Sequence, residues 1–233
     1  SGALAMDSFN QKTVEIILEG KSRRLGSSII PQSMSSGTAA YLNKILGLGN
    51  RILSNSSACI TGSESVLLGF EHLKLGKAKR MLCGSTEGDG ILIWGAFDPM
   101  RILTSDSNDN PQQGSRPLCK TSVGFVPGGG SGTLILETLE SAQERNAKIY
   151  AEILGTDVNS GGFRNGGSMT APNSSAVINC MKNTLAQSKI TSDEIDLISG
   201  HLTGTKGDVT EIKNWVVGLN RKQQNFPLIN TPK

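Results

Sequence analysis

Apolar runs of strand length alternate with segments of helical periodicity along this chain. Strands are predicted at 80–84, 133–137 and 149–154, and a helix at 141–145 lies between the last two. A strand, a helix and a strand in that order indicate a parallel crossover connection. The pattern as a whole predicts an α/β fold that is built in layers.

Another strand-to-helix transition is predicted earlier in the chain. Residues 51–54 form a short apolar run, and the helix that follows is expected to end at Gly76. The inner face of this helix is predicted to carry Val66, Phe70 and Leu73. The positions predicted to face outward are Glu64, Glu71 and Lys74.

Residues 155–172 are rich in glycine, asparagine and serine, which is typical of a long loop or a boundary between sub-domains. We therefore divide the chain into a first domain at 1–155 and a second at 156–233. The elements predicted in the second domain are a helix at 174–188, a capping box at 191–194, a strand at 196–199 and a helix at 209–219.

The charge balance is nearly even, with 23 lysine and arginine side chains against 20 aspartate and glutamate. Neither a nucleic-acid footprint nor a basic membrane-binding face is therefore expected. No apolar run approaches the ~20 residues of a membrane span, and no secretory leader opens the chain. A cytoplasmic location is the resulting expectation.

The spacing of the cysteines argues against a structural zinc site, because such sites use close cysteine pairs. In a chain of this length without a secretory signal, the cysteines are expected to stay thiols. They are Cys59, Cys83, Cys119 and Cys180.

Cys59 lies in the run SSACITG at 56–62, where the predicted strand turns into the predicted helix. Backbone N–H groups at a helix start have no intrahelical partner, and with the helix dipole they favour thiolate and can bind an oxyanion. Cys59 is therefore a candidate nucleophile for a thioester. The alternative is that it is a small buried apolar residue without a chemical role.

Several further motifs occur along the chain, namely GSTE at 84–87, NPQ at 110–112, SRP at 115–117, GFV at 124–126 and KIYAE at 148–152. The Cys59 segment and a His-x-Thr-x-Thr segment at 201–205 lie around them. The motifs and their order resemble those of the β-ketoacyl-acyl-carrier-protein synthases, the elongating condensing enzymes of the thiolase superfamily. The resemblance covers nearly the whole chain from about Gly20 onward.

The resemblance implies a thiolase-like, layered αβαβα fold of which this chain is an incomplete, middle portion. The first domain would be the later part of the amino-terminal half, and the second would be the start of the carboxyl-terminal half. The second catalytic histidine and a glycine-rich loop of the family would lie beyond the chain. Lys233 matches the lysine that precedes that histidine by a few residues.

The resemblance also implies the chemistry, which is decarboxylative condensation of an acyl-enzyme with malonyl-acyl-carrier protein. Cys59 would be the nucleophile, and its backbone N–H would form half of the oxyanion hole. His201 would stabilise the enolate that decarboxylation leaves. Each of the two follows a predicted strand, and we expect them to line one cavity.

Further residues match positions that support the site in the family. Thr203 and Thr205 match hydroxyls that hold the pantetheine arm, although threonine hydroxyls also satisfy loop backbone. Glu211 and Lys233 match an acid and a base near the histidines. The remaining histidine, His72, is predicted to be a solvated surface residue.

The chain departs from the family pattern at three positions. Leu202 replaces the glycine that usually follows the histidine, and Val123 and Gly129 replace two family carboxylates. These departures affect the local polar network, whereas the nucleophile is retained.

No metal or soluble cofactor is expected, because phosphopantetheine would arrive on the acyl-carrier protein. The resemblance implies a homodimer or a heterodimer with a synthase-like subunit. One alternative is a non-condensing partner subunit that binds acyl-carrier protein and sets chain length, although such subunits typically lack the cysteine. Another is an initiating synthase or a thiolase that acts on coenzyme A.

Overall fold

A computed structural model describes residues 7–163 and 171–232 of the chain. These residues form eight α-helices and four strands, joined by loops and short 3-10 turns. The helices are α1 (Asp7–Leu18), α2 (Ile29–Ser33), α3 (Gly37–Leu46), α4 (Thr61–Lys74), α5 (Ile91–Phe97), α6 (Leu139–Glu144), α7 (Ser174–Ser188) and α8 (Gly207–Leu219). The strands are β1 (Arg80–Glu87), β2 (Gly130–Glu137), β3 (Leu197–Ser199) and β4 (Leu228–Asn230). The structure is thus mixed α/β, in agreement with the predicted fold class.

The chain divides into two compact units. The first contains the described residues up to Ala96 together with Pro127–Ile149, and the second contains Phe97–Val126 and the described residues from Tyr150 onward. The segment Phe97–Val126 therefore packs with residues that come much later in the chain. The predicted division at 155 into two halves of the family fold stays a prediction.

The first unit is built around β1 and β2, which pair antiparallel from Arg80 opposite Glu137 to Glu87 opposite Gly130. The predicted parallel crossover from 133–137 to 149–154 is wrong, because 149–154 has no regular secondary structure. The strand predicted at 51–54 is also wrong for the same reason. A strand depends on a hydrogen-bonding partner, and a segment of four to six residues does not reveal whether one is present.

Helix α4 packs on β1 at very short range, and Gly69 makes this possible. A Cβ at Gly69 would lie 2.2 Å from the Cys83 sulfur, so only glycine fits at this crossing. The buried face of α4 includes Leu67 and His72. The residues predicted to face inward are only half-buried; they are Val66, Phe70 and Leu73. The prediction that His72 is on the surface is wrong: its side chain is 8% exposed, and its Nε2 is buried without a hydrogen-bond partner.

The second unit joins β3 and β4 in parallel, with Leu197 opposite Leu228 and Ser199 opposite Asn230. Helices α7 and α8 pack against each other, and a Cβ at Gly218 would lie 2.5 Å from the Met181 methyl carbon. Leu202 is fully buried in this unit.

Local sequence signals in the second unit are confirmed. Helix α7 has the predicted bounds, and the side chains of Thr191 and Glu194 form the predicted capping box. Helix α8 begins at Gly207, two residues earlier than predicted. Along the described part of the chain, no helix is both long enough and apolar enough to traverse a membrane.

Candidate functional site

Cys59 lies in the middle of a 3-10 turn, Ala58–Ile60, that leads directly into α4. The residue is exposed, as a nucleophile for a bulky thioester must be. Ala58 has a φ of 50°, a left-handed conformation that non-glycine residues adopt at a cost of roughly 1–3 kcal/mol. Such a turn persists only where the surrounding contacts hold it.

Hydrogen bonds on both sides hold this turn. The Ser57 N–H donates to the Thr61 hydroxyl oxygen at 2.9 Å, and that hydroxyl donates to the Ala58 carbonyl at 2.7 Å. The Glu64 carboxylate, one turn into α4, accepts from the Ser57 hydroxyl and from Asn55 Nδ2. The segment before Cys59 is therefore tied to the helix after it.

The other cysteines differ in burial and acidity. Burial raises the pKa of the Cys83 thiol to about 11, and burial also raises the pKa of Cys180. Cys119 is exposed, and the Thr121 hydroxyl at 3.2 Å from its sulfur lowers its pKa, with a smaller contribution from Arg116. Cys119 is therefore a second accessible thiol, which its sequence context did not indicate.

His201 follows β3 after one intervening glycine, as predicted, and its side chain is exposed. The Glu211 carboxylate holds the backbone here, because Oε1 accepts from the His201 N–H at 2.7 Å and Oε2 from the Leu202 N–H at 3.0 Å. The carboxylate thus fixes the path of the chain at the histidine and leaves the imidazole exposed.

The Leu202 side chain packs in the core and holds this loop there. It occupies a position where the synthases that the chain resembles usually have glycine. Its side chain is 0% exposed and lies near Gly200, where a Cβ would be 3.2 Å from Leu202 Cγ and 2.5 Å from the Trp215 ring. The Leu202 side chain therefore points into the core and adds nothing to the exposed surface of the loop.

Asp208 organises the loop that carries the two threonines, and the sequence reasoning missed it. Its carboxylate is buried and accepts from the backbone N–H groups of Thr203 at 2.9 Å, Gly204 at 3.1 Å and Thr205 at 3.4 Å. The available signal was an acid directly before the helix predicted at 209–219, which is a common capping position.

The two threonine hydroxyls face each other, with Thr203 Oγ1 and Thr205 Oγ1 3.1 Å apart. Thr205 Oγ1 also accepts from the Gly207 N–H at 3.2 Å, so it satisfies loop backbone. Beneath them, a Cβ at Gly204 would lie 2.7 Å from the Gly124 carbonyl oxygen. The GFV segment therefore contacts the threonine loop directly.

The candidate residues fall into both units. Cys59 lies in the first unit, and His201, Thr203, Thr205 and Glu211 lie in the second. Lys233 lies outside the described residues. Within the second unit the structure brings His201, Glu211 and the two threonines together, and the prediction that Cys59 and His201 line one cavity stays a prediction.

A cleft of about 410 Å³ in the second unit is lined by other residues. They are Asp193, Asn220, Arg221, Lys222, Gln224 and Asn225. Arg221 Nη1 donates to the carbonyl oxygens of Ser192 at 2.9 Å and Ile195 at 2.6 Å, which is a structural role at the start of β3. The cleft contains no candidate site residue, so its size does not identify the functional site.

Family models match almost the whole chain. Residues 3–142 match the β-ketoacyl synthase N-terminal domain, and residues 150–233 match the β-ketoacyl synthase C-terminal domain.

Curated relatives are similar over most of this chain. It is 34% identical over 213 residues to a putative mitochondrial 3-oxoacyl-[acyl-carrier-protein] synthase of Schizosaccharomyces pombe, covering 88% of this chain and 49% of the relative. It is 34% identical over 239 aligned positions to 3-oxoacyl-[acyl-carrier-protein] synthase 1 of Buchnera aphidicola, covering 100% and 56%. The chain thus spans about half the length of the curated relatives it matches.

Solved structures share the fold. A β-ketoacyl synthase from Burkholderia phymatum superposes with a TM-score of 0.83 at 30% identity, covering 95% of this chain and 52% of that one. A type II polyketide ketosynthase, described in complex with its acyl-carrier protein and bound to a hexaketide, superposes with a TM-score of 0.82 at 26% identity, covering 98% and 57%. With its ordered motifs, its two matched domains and this thiolase-like fold, the chain belongs to the β-ketoacyl synthase family.

Proposed function

We propose that the protein catalyses decarboxylative condensation between an acyl group on Cys59 and malonyl-acyl-carrier protein, as in fatty-acid or polyketide chain elongation. The Cys59 thiolate attacks the acyl thioester, and the carrier thiol leaves. The malonyl group then loses carbon dioxide, and the resulting enolate carbon attacks the acyl carbon. A new carbon–carbon bond forms as the bond from the Cys59 sulfur to the acyl group breaks.

The observation that carries this proposal is the exposed Cys59 thiol in a braced turn at the start of α4. A helix start favours the thiolate and offers backbone N–H groups to the oxyanion of the tetrahedral intermediate. Burial makes Cys83 unsuitable for this role.

His201 is assigned the second role, which is to stabilise the enolate. Its support is an exposed imidazole on a loop that two carboxylates hold. Glu211 accepts from the His201 N–H, and Asp208 accepts from the Thr203 N–H. Thr203 and Thr205 are assigned to the pantetheine arm, and their half-buried hydroxyls retain acceptor capacity for its amides. Glu211 and Lys233 are assigned supporting roles.

The partners and surroundings follow from the same assignment. Acyl-carrier protein would deliver phosphopantetheine, so no metal or soluble cofactor is required. We expect a homodimer, or a heterodimer with a synthase-like subunit. A cytoplasmic location is kept as a prediction, since one relative is named as mitochondrial and another as chloroplastic.

The alternative function is a non-condensing subunit that binds acyl-carrier protein and sets chain length. One structural neighbour is described as a ketosynthase/chain length factor, with a TM-score of 0.78 at 25% identity. Cys59 favours the condensing role, because the nucleophile is the group that such a subunit does not need.

The variant His201→Ala separates acyl transfer from decarboxylation in the intact protein. We expect Cys59 still to accept an acyl group, whereas carbon dioxide release from malonyl-acyl-carrier protein falls by about 100- to 1000-fold, the usual cost of removing one such donor. Peptide mass mapping measures the first step and release of labelled carbon dioxide the second. Decarboxylation at the wild-type rate would refute the role of His201, and absence of acyl transfer to wild-type Cys59 would favour the non-condensing alternative.

A further inference from the structure

Glu64 has contacts that its helical periodicity did not predict. The prediction placed it on the outer face of α4, but the residue is half-buried in the first turn of the helix. One carboxylate oxygen, Oε2, accepts from two donors on the preceding loop, Asn55 Nδ2 at 3.0 Å and the Ser57 hydroxyl. Glu64 is therefore one of the residues of α4 that hold the loop before Cys59, together with Thr61.

Asn55 extends this contact into the helix backbone. Its Nδ2 also donates to the Thr61 carbonyl at 3.0 Å, so a single amide bridges the helix start and the Glu64 carboxylate. A negative charge in the first turn of a helix is electrostatically favourable, which keeps the carboxylate at this place. Asn55, Thr61 and Glu64 thus form a bracket around the turn.

The bracket encloses the backbone that would present the nucleophile. Between its two ends lies Ala58 with its left-handed φ of 50°, followed directly by Cys59. The conformation at Ala58 sets the direction of the Cys59 N–H and of the bond to its side chain. A relaxed Ala58 would rotate both away from the geometry that thioester attack requires.

We infer that Glu64 is a positioning residue, which holds the Ala58–Cys59 turn in the conformation required for attack on an acyl thioester through its bonds to Asn55 and Ser57. This inference rests on the proposed function, since it assumes that Cys59 accepts the acyl group. Glu64 does not touch the substrate in this role and acts only through the turn that its hydrogen bonds to the Asn55 and Ser57 side chains hold.

Two reactions of Cys59 in the intact protein test the inference. Acylation by an octanoyl-pantetheine thioester requires that the Cys59 sulfur and the N–H groups that bind the oxyanion are correctly placed relative to each other. Alkylation by iodoacetamide requires only an accessible thiolate. We expect Glu64→Ala to slow acylation by about 10- to 100-fold, the scale of a misplacement below about 1 Å, and to leave alkylation unchanged. Glu64→Gln, which retains one acceptor oxygen, should recover part of the acylation rate.

The matched control is Glu71→Ala, which removes an exposed glutamate from the same helix two turns further on. It should change neither reaction. The variant Asn55→Ala should also slow acylation, and the slowing by the double variant should be smaller than the product of the two single effects, because the two residues share the hydrogen bond from Asn55 Nδ2 to Glu64 Oε2.

The outcomes separate the inference from the proposed function. If the wild-type Cys59 is not acylated, the proposed function fails and the inference fails with it. If the wild type is acylated and the Glu64 and Asn55 variants are acylated as fast as the wild type, only the inference is overturned. Equal slowing of acylation and alkylation, or slowing by Glu71→Ala, also overturns it. Should Glu64→Ala not fold, Glu64→Gln and Asn55→Ala decide by the same criteria.

Discussion

Three carboxylates hold the loops that carry the candidate residues. Glu64 ties the Cys59 turn to α4, Glu211 fixes the backbone at His201, and Asp208 accepts from the N–H groups of the threonine loop. Each carboxylate accepts hydrogen bonds from loop donors that would otherwise bind water. Hydrogen bonds to a charged acceptor are stronger than those between neutral groups. At the scale of single residues, the conformation of the candidate loops therefore depends on acidic side chains to which no chemical step is assigned.

The cysteines should differ in reactivity in the order of their exposure and acidity. We expect iodoacetamide to label Cys59 and Cys119 quickly and Cys83 slowly, because Cys83 is buried and its pKa is about 11. Only Cys59 should be acylated by a thioester, since Cys119 does not lie at the start of a helix. Peptide mass mapping at several pH values measures both reactions.

The variant Thr121→Val provides the control for Cys119. It removes the hydroxyl that lowers the pKa of Cys119, so alkylation of Cys119 should require higher pH while Cys59 is unaffected. Acylation of Cys119 or Cys180 ahead of Cys59 would contradict the assignment of the nucleophile.

At the scale of elements, α4 crosses β1 at short range close to the candidate nucleophile. The Gly84 N–H in β1 donates to the Ser65 hydroxyl oxygen in α4 at 2.9 Å, and Gly69 lets the two backbones approach. This crossing fixes the position of the helix whose start carries Cys59.

The variant Gly69→Ala should destabilise the first unit. Its Cβ would lie 2.2 Å from the Cys83 sulfur, and overpacking of this kind costs about 1–3 kcal/mol. Urea unfolding measures the change, and Cys83→Ala in the same chain should restore most of the loss by making room. The control is Gly95→Ala in α5, where a Cβ meets no atom within 4 Å and better helix propensity should not reduce stability. Equal effects at both glycines would contradict the packing argument.

Glu137 links β2 to α6 and to the first residue of β1. Its carboxylate contacts Arg145 at 2.6 Å and Arg80 at 3.3 Å, and it accepts from the Ser141 hydroxyl at 2.8 Å. The hydrogen bonds from Arg145 lower the pKa of Glu137 from 4.5 to about 2.

The stability that Glu137 contributes should be lost in acid. Because its pKa is lower in the folded chain, the contribution is complete above about pH 4.5 and falls as the pH drops towards about 2. The free energy of unfolding of Glu137→Gln, measured with urea, should therefore differ from that of the wild type at pH 7 and approach it near pH 2. Glu140→Gln, at an exposed position of α6, is the control. A constant difference between wild type and Glu137→Gln across this pH range would contradict the assignment.

On the scale of the whole molecule, large apolar side chains remain exposed in both units. In the first unit they include Leu134 and Ile135 on β2 and Ile17 and Leu18 on α1, and in the second unit they include Leu228 and Tyr150. Exposed apolar surface of this extent favours association or coverage by other protein surface.

Residues 1–233 expressed alone should therefore bind the dye ANS and self-associate. Light scattering after size-exclusion chromatography measures the association, and dye fluorescence measures the exposed apolar surface. Ile135→Lys, at a side chain that is 66% exposed, should reduce both without loss of helical signal. A monomer that does not bind the dye would contradict this expectation.

The sequence by itself determined the features that depend on near neighbours. Helix α7 and the capping box at Thr191 follow from periodicity and side-chain chemistry within a few residues. The ordered motifs also identified the family and made Cys59 and His201 candidate site residues, because the motifs are recognised from residue type and order alone.

Only the tertiary structure decided which residues touch across the chain. The antiparallel pairing of β1 with β2 joins segments about 50 residues apart, and apolar runs alone do not specify a partner or a direction. Packing also decided which residues of α4 are buried, because His72 is buried whereas the predicted inner residue Val66 is only half-buried. Likewise, Asp208 and Glu64 were visible only as acids near helix starts. Their roles arise from backbone and side-chain donors that folding brings within hydrogen-bonding distance, because a hydrogen bond needs specific geometry that sequence spacing does not encode.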